Sequence, residues 1–223
     1  GGHAAGEVAS RVAVDTIEAF IDTTDGVNDK NFTWPFGFDP SIGVGGTRLV
    51  TAFRLANRAI DVRVTDEPAL RGMATTAVAL LLARDAGVGW DADGWSQGSS
   101  PRLGLGPADP GSTSPKPIGR VEEGEGGFEP RVLPALVAHV GDSRAYLWRE
   151  GVLTRQTQDH SWVEEQVALG TLTEADARHH PWRNLVTRAI SGGPDPRVDV
   201  TPLALEPGDR VLLCSDGLTT PVT

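Results

Sequence analysis

The chain has 223 residues, 39% of them hydrophobic, which is enough for one domain with a substantial core. Its formal net charge of −10 argues against a broad basic surface for nucleic acid or anionic lipid, and no apolar run reaches the ~20 residues that cross a bilayer. The single Cys214 excludes an internal disulfide framework, disfavours a closed zinc site and favours a cytoplasmic location.

The first part of the chain predicts two helices joined by a loop. Apolar residues recur at nearly helical spacing over residues 4–22 and again over residues 47–63. Residues 23–46 mix Asp, Thr, Asn, Gly, Pro and aromatic side chains, a composition typical of a loop with some local packing.

An apolar run and then a polar segment follow these helices. Residues 73–83 are apolar throughout, and their β-branched members favour a buried strand over a buried helix. Residues 87–131 are dense in Gly, Pro, Ser and acidic residues, so they cannot bury enough surface to offset the entropy of ordering. We therefore expect residues 1–223 to form a single domain that carries a flexible insertion at 87–131.

The next part of the sequence has the pattern of short strands with tight turns. Residues 133–140, 144–148 and 152–154 predict a β-meander, because short apolar runs alternate with glycine-containing turns. Residues 161–169 and 173–180 predict two short helices, the second of which has a capping threonine and acidic residues in its first turn.

One more strand pair completes the pattern. Residues 198–205 and 210–214 predict two strands that form a hairpin through a Pro-Gly turn at 206–209. The sum is a pair of helices plus several antiparallel strands, without regular βαβ alternation. This pattern favours a layered domain of the α+β class over a doubly wound parallel sheet.

Two aspartates occupy similar positions relative to the predicted strands. Asp142 and Asp216 each follow an apolar strand, in the strings Gly-Asp-Ser and Ser-Asp-Gly. If the strands are neighbours, both carboxylates project at one edge of the sheet, where their oxygens would suit a hard cation such as Mg²⁺ or Mn²⁺. Both strings are also common in ordinary turns, so the spacing alone leaves metal binding and turn formation open.

The same segment allows a different chemistry. Gly141-Asp142-Ser143, combined with Asp176 and His179, is similar to the elements of GDSL-type serine hydrolases, which would use Ser143 as the nucleophile and His179 as the base. Those enzymes carry the Gly-Asp-Ser string near the start of the domain, whereas here it lies mid-chain between two predicted strands. A serine hydrolase is therefore kept as an alternative.

Six short blocks stand out in the sequence. In chain order they are Gly-Gly-His-Ala-Ala-Gly-Glu-Val-Ala-Ser at 1–10, Arg-Gly-Met-Ala-Thr-Thr at 71–76, Ala-His-Val-Gly-Asp-Ser-Arg-Ala-Tyr at 138–146, Thr-Gln-Asp-His-Ser at 157–161, Asn-Leu-Val-Thr-Arg-Ala at 184–189 and Leu-Leu-Cys-Ser-Asp-Gly-Leu at 212–218. Together they resemble the bacterial branch of the metal-dependent protein phosphatase family (PPM, type 2C). The resemblance covers about 1–22, 47–86 and 132–220.

The resemblance implies a four-layer α-β-β-α sandwich, in which two antiparallel sheets are flanked by helices. It also implies hydrolysis of phosphoserine and phosphothreonine in phosphoproteins by a hydroxide that bridges two Mn²⁺ or Mg²⁺ ions, with a third ion in bacterial members. By position, Asp216 would bind the second metal, Asp142 would lie near the third together with Asp216, and Ser161 lies where the flap approaches that site. Expected partners are phosphoprotein substrates and a cognate Ser/Thr kinase, with no nucleic-acid or membrane contact in this fragment.

Parts of the family pattern fall outside the chain. The Asp-Gly pair that opens the first metal motif and an upstream phosphate-holding arginine would precede Gly1, and a late Asp-Asn pair would follow Thr223. We therefore interpret the chain as a fragment that lacks both ends of the catalytic domain and is itself weak or inactive. A parent protein without those aspartates would be a pseudophosphatase that only binds partners, which is the other alternative.

Overall fold

The computed structural model describes residues 4–27, 32–82 and 132–219. The expected insertion at 87–131 and the first three residues lie outside these ranges, so the insertion stays a prediction. No helix in the three described ranges is both long and apolar enough to cross a membrane.

Two long helices pack against each other and form the first layer. Helix α1 (Ala4–Thr23) agrees with the sequence prediction, whereas α2 (Gly43–Asp66) begins four residues before the predicted start at 47. Glycine is a poor helix former, which is why the sequence placed this turn in the loop. The turn is buried, and a Cβ on Gly46 would lie only 2.6 Å from the Ile42 Cβ, so close packing at the helix start outweighs the low propensity.

The strands form two antiparallel sheets of three strands each among the described residues. The first sheet has the order β1 (Ala77–Leu82), β2 (Leu133–Val140) and β5 (Asp199–Leu205). The second sheet has the order β4 (Val152–Arg155), β3 (Arg144–Arg149) and β6 (Arg210–Cys214). The shorter helical segments are a 3₁₀ turn (Pro68–Leu70), α3 (Trp162–Ala168), α4 (Glu174–His179) and α5 (Asp216–Thr219).

Two of the predicted hairpins are wrong. Strands β2 and β3 belong to different sheets, and so do β5 and β6, so residues 141–143 and 206–209 carry the chain from one sheet to the other. Only β3 and β4 of the expected meander pair with each other. A tight turn with glycine or proline suits a corner between sheets as well as a hairpin, so the turn residues could not distinguish the two.

Two hydrophobic cores fix the layer order. In β2, Leu136 and Ala138 face α1 and α2, whereas Ala135 and Val137 face the second sheet through residues such as Ala145. The first sheet is therefore the buried middle layer, with helices on one face and the second sheet on the other. This arrangement confirms the α+β class with face-to-face antiparallel sheets and flanking helices.

A buried asparagine connects α2 to the loop before β5. Asn57 Oδ1 accepts from the backbone N–H groups of Ser191 and Gly192 at 3.0 and 2.9 Å, and its Nδ2 donates to Gly193 O at 2.8 Å. A Cβ on Gly192 would lie 2.8 Å from the backbone nitrogen of Asp61, so only glycine allows this close approach. The contact fixes the segment that leads into β5.

Candidate metal centre

The two predicted aspartates lie just beyond the same end of a strand pair. Strand β6 pairs with β3 up to Arg144↔Cys214, and two residues beyond this last pair Asp142 lies in the turn before β3 and Asp216 begins α5. Strand β6 is therefore the neighbour of β3, the strand that begins just after Asp142. It is not the neighbour of β2, the strand that ends just before Asp142. The first sheet contributes Asp142 only through the corner at Gly141.

The electrostatics of this pair suit a cation. Burial raises the pKa of Asp142, and repulsion from the Asp216 carboxylate raises it further. Two carboxylates that repel each other at a partly open sheet edge gain from a positive ion between them, and oxygen donors of this kind match the preference of Mg²⁺ and Mn²⁺. The residues present therefore fit a hard divalent cation.

Ser161 lies beside the same turn. Its neighbour His160 donates its backbone N–H to Gly141 O at 2.9 Å, which joins the start of α3 to the residue before Asp142. Ser161 is buried, and its Oγ caps α3 by accepting from the N–H of Glu164 at 3.3 Å. The structure thus brings all three sequence-predicted site residues to one end of the second sheet.

A partly buried ion pair holds the start of β3 against the segment that precedes α3. The Arg144 guanidinium makes a two-pronged contact with Asp159, whose shortest distance is 2.6 Å, and Arg155 lies 3.2 Å from the same carboxylate. The hydrogen bonds to Asp159 raise the pKa of Arg144 above its ordinary value. The turn that contains Asp142 is therefore anchored two residues further along the chain as well.

A second group of ligand-type side chains lies behind this edge, formed by His139, His160 and Asp199, with one ligand atom of each within 4.8 Å of the others. The two imidazole rings are stacked, with centroids 4.5 Å apart and an angle of 18° between planes. Lone pairs in the ring planes then run side by side and do not converge on one point. The positively charged Arg188 guanidinium lies 3.0 Å from His160 Nε2, and both His160 and Arg188 bond to Asp199, so this group fits a hydrogen-bond network better than a cation site.

The serine hydrolase alternative lacks its base in this geometry. Ser143 is buried, and its Oγ lies 2.8 Å from Thr76 Oγ1. His179 is exposed in α4 and its Nδ1 bonds to Ala175 O in the same helix. Within the described ranges no imidazole forms a hydrogen bond to Ser143, so the general base that this chemistry needs is not at hand.

Sequence reasoning missed the residues that support the edge, chiefly His160, Asp199 and Arg188. His160 stands in the block at 157–161, directly before the predicted site residue Ser161. Asp199 lies 39 positions further along the chain, at the start of a strand, and nothing in its local pattern signals a buried partner. The usable signal was the histidine itself, because an imidazole beside a site residue commonly orients it.

Comparison with known proteins adds independent information. No protein-family model matches the chain. The serine/threonine protein phosphatase PstP of Mycobacterium tuberculosis is 32% identical over 223 residues, which cover 100% of this chain and 31% of that protein. The crystal structure of the Mycobacterium tuberculosis serine/threonine phosphatase PstP/Ppp matches with a TM-score of 0.62 and 31% identity, over 100% of this chain and 67% of that one.

A further solved structure contains metal. The catalytic domain of PstP in complex with two manganese ions matches with a TM-score of 0.58 and 28% identity, over 100% of this chain and 66% of that one. The chain spans about a third of the length of the mycobacterial protein, as its 31% share shows.

Proposed function

The chain belongs to the PPM family of bacterial serine/threonine phosphatases, and from this premise we propose that the full-length protein hydrolyses phosphoserine and phosphothreonine in phosphoproteins with the help of Mn²⁺ or Mg²⁺. The observation that carries the proposal is the pair Asp142 and Asp216, which lie just beyond the last β3–β6 pair and close enough for the Asp216 carboxylate to raise the pKa of Asp142. Its support from relatives is the two manganese ions in the PstP catalytic domain.

We assign the predicted site residues their roles on this basis. Asp216 would bind the second of two ions, and Asp142 together with Asp216 would hold a third, with Ser161 beside it. The ions would supply a water that is acidic enough to react at neutral pH and positive charge against the phosphoryl oxygens. The raised pKa of Asp142 supports this assignment, because burial and the nearby Asp216 carboxylate together create a place where positive charge is favourable.

The side chains around Asp142 would act chiefly by holding the metal-binding carboxylate in place. Asp159 and Arg144 hold the start of β3, and His160 holds the residue before Asp142. A carboxylate that is fixed before the ion arrives loses less freedom on binding than one on a mobile loop, so the anchored turn favours tight coordination.

Partners and location follow as further proposals. Phosphoprotein substrates require a kinase that makes them, so we infer a cognate Ser/Thr kinase in the same compartment. A cytoplasmic location suits the free thiol of Cys214, which the reducing interior of a cell keeps from oxidation.

The test uses the full-length protein with a phosphothreonine peptide and measures phosphate release. We expect turnover with Mn²⁺, loss of turnover with EDTA, and a fall of at least ~100-fold in Asp216→Asn, since a ligand to the ions is removed. Asp209→Asn is the control, because Asp209 lies beside the opposite end of β6 and its loss should leave most of the activity; a thermal melt accounts for the stability lost with its Arg149 pair. Wild-type turnover in Asp216→Asn would refute the assignment, and a wild-type protein without Mn²⁺-dependent turnover would favour the pseudophosphatase.

A further inference from the structure

The residue before Asp142 has both of its backbone polar groups bonded to a single partner residue. Gly141 N–H donates to the His160 Nδ1 at 3.0 Å, and Gly141 O accepts from the His160 backbone N–H at 2.9 Å. Gly141 has a φ of 103°, and a Cβ there would lie 2.2 Å from Thr76 Cγ2. The backbone at this point is therefore fixed by His160 on one side and by Thr76 on the other.

The orientation of the His160 ring is set by contacts at Nε2, the ring nitrogen that does not bond to Gly141. Because Nδ1 accepts the Gly141 N–H, the ring proton lies on Nε2, which donates to Asp199 Oδ2 at 3.1 Å. The Arg188 guanidinium also lies 3.0 Å from Nε2, but it only donates and therefore makes no hydrogen bond to that protonated nitrogen. Arg188 donates to the other oxygen, Oδ1, at 3.1 Å. Burial raises the pKa of Asp199, but the hydrogen bond from His160 and the charge of Arg188 outweigh it and hold that pKa below its ordinary value. Asp199 is thus an ionised acceptor.

The surroundings leave the ring little freedom. His160 is 4% exposed and stacks on His139, whose Nε2 donates to Gln158 O at 2.8 Å. A rotated ring would lose the bond to Asp199 and the bond to Gly141 together, and each buried polar group left unpaired costs free energy. The order of contacts is therefore Asp199, His160, Gly141 and then Asp142.

We propose that His160, oriented by Asp199, is a positioning residue that sets the backbone of Asp142 at the metal centre. It touches neither substrate nor ion, and acts by holding the peptide from which the Asp142 carboxylate projects. The inference rests on the proposed function, because it requires Asp142 to be a metal ligand. Groups that orient a ligand in this way commonly change metal affinity by ~10–100-fold when removed.

Two substitutions of His160 distinguish its contact with Gly141 from its contact with Asp199. In His160→Asn the amide oxygen lies near the position of Nδ1 and can still accept from Gly141, whereas in His160→Gln the amide lies near Nε2 and can still reach Asp199. Binding of Mn²⁺ to the full-length protein is measured from the electron paramagnetic resonance signal of the free ion. We expect ~10-fold or greater weakening of the Asp142-dependent binding in His160→Gln and less than ~3-fold in His160→Asn. Equal losses in the two variants would overturn the proposal.

Asp142→Asn provides the reference that separates this proposal from its premise. If Asp142→Asn leaves Mn²⁺ binding unchanged, the metal role of Asp142 fails and the proposed site with it. If Asp142→Asn weakens binding and His160→Gln does not, only the positioning role is refuted. The double variant Asp142→Asn/His160→Gln is expected to bind no more weakly than Asp142→Asn, because His160 acts through Asp142; additive losses would contradict that.

Folding is checked by near-UV circular dichroism and thermal melts of each variant. If His160→Gln does not fold, Asp199→Ala tests the same contact from the other side of the ring. It is expected to weaken Mn²⁺ binding by ~3–10-fold alone and to add nothing in the His160→Asn background, where the ring it orients is gone. Unchanged Mn²⁺ affinity in a folded Asp199→Ala protein would overturn the proposal.

Discussion

Replacing Gly141 with alanine is expected to destabilise the fold through two separate costs. The φ of 103° at Gly141 is a backbone conformation that alanine adopts only at a cost of about 1–2 kcal/mol. The added Cβ would also lie 2.2 Å and 2.4 Å from the side chain of Thr76 and 3.2 Å from its Cα. Relieving such an overlap in a packed interior adds about 1–3 kcal/mol, so the total is about 2–5 kcal/mol.

Gly208→Ala supplies the matched control. Gly208 has a similar φ of 97°, but no atom lies within 4 Å of the Cβ position, so only the backbone cost of about 1–2 kcal/mol applies. Urea unfolding of the full-length protein, followed by fluorescence, measures both variants against wild type. The expected excess for Gly141→Ala is about 1–3 kcal/mol, and equal costs would show that Thr76 moves aside and that the corner between the sheets is not closely packed.

Three further predictions concern stability. Asn57→Ala leaves buried peptide groups of the 191–193 loop unpaired and is expected to cost about 2–4 kcal/mol in urea unfolding; a change below about 1 kcal/mol would contradict this. Arg149 lowers the pKa of Asp209 to about 2, so the stability that Asp209 contributes is complete above its unfolded pKa of about 4 and is lost as the pH falls towards 2. Asp209→Asn should therefore flatten acid unfolding between those values in circular dichroism, and an unchanged slope would refute the pairing. Asp142→Asn should raise the melting temperature of the EDTA-treated protein by a few degrees, because burial and repulsion from Asp216 no longer oppose folding; a lower melting temperature would count against the site.

The sequence located the secondary-structure elements well because their signals are local. Periodicity and turn residues placed α1 and all six strands of the described residues within a few positions, and the capping threonine correctly marked the start of α4. The pairing of strands was harder to predict, because the choice between a hairpin and a corner depends on which face of each strand is buried. The apolar run of β2, buried on both faces, was the sign that this strand is central.

The residues of the candidate site also divide into those that have a local sequence signal and those that do not. Asp142 and Asp216 were found because each follows a strand in a short recognisable string, and both lie just beyond the last pair of β3 and β6. The supporting contact between His160 and Asp199 joins positions 39 residues apart in different layers, and only the folded chain brings them together. Whether Asp142, Asp216 and Ser161 bind metal stays a prediction that the proposed experiments address.

The register of β1 and β2 has a practical consequence for protein engineering. Leu82 pairs with Ala135, so the chain leaves and re-enters the first sheet at adjacent points at the same end of two neighbouring strands. If residues 87–131 form the flexible insertion that the sequence predicts, shortening or lengthening them should leave the sandwich nearly as stable, because closing a flexible loop costs only about 0.6 kcal/mol more for each doubling of its length. A fluorescent reporter inserted within that stretch would join the domain at two neighbouring points, while the turn that carries Asp142 keeps its geometry.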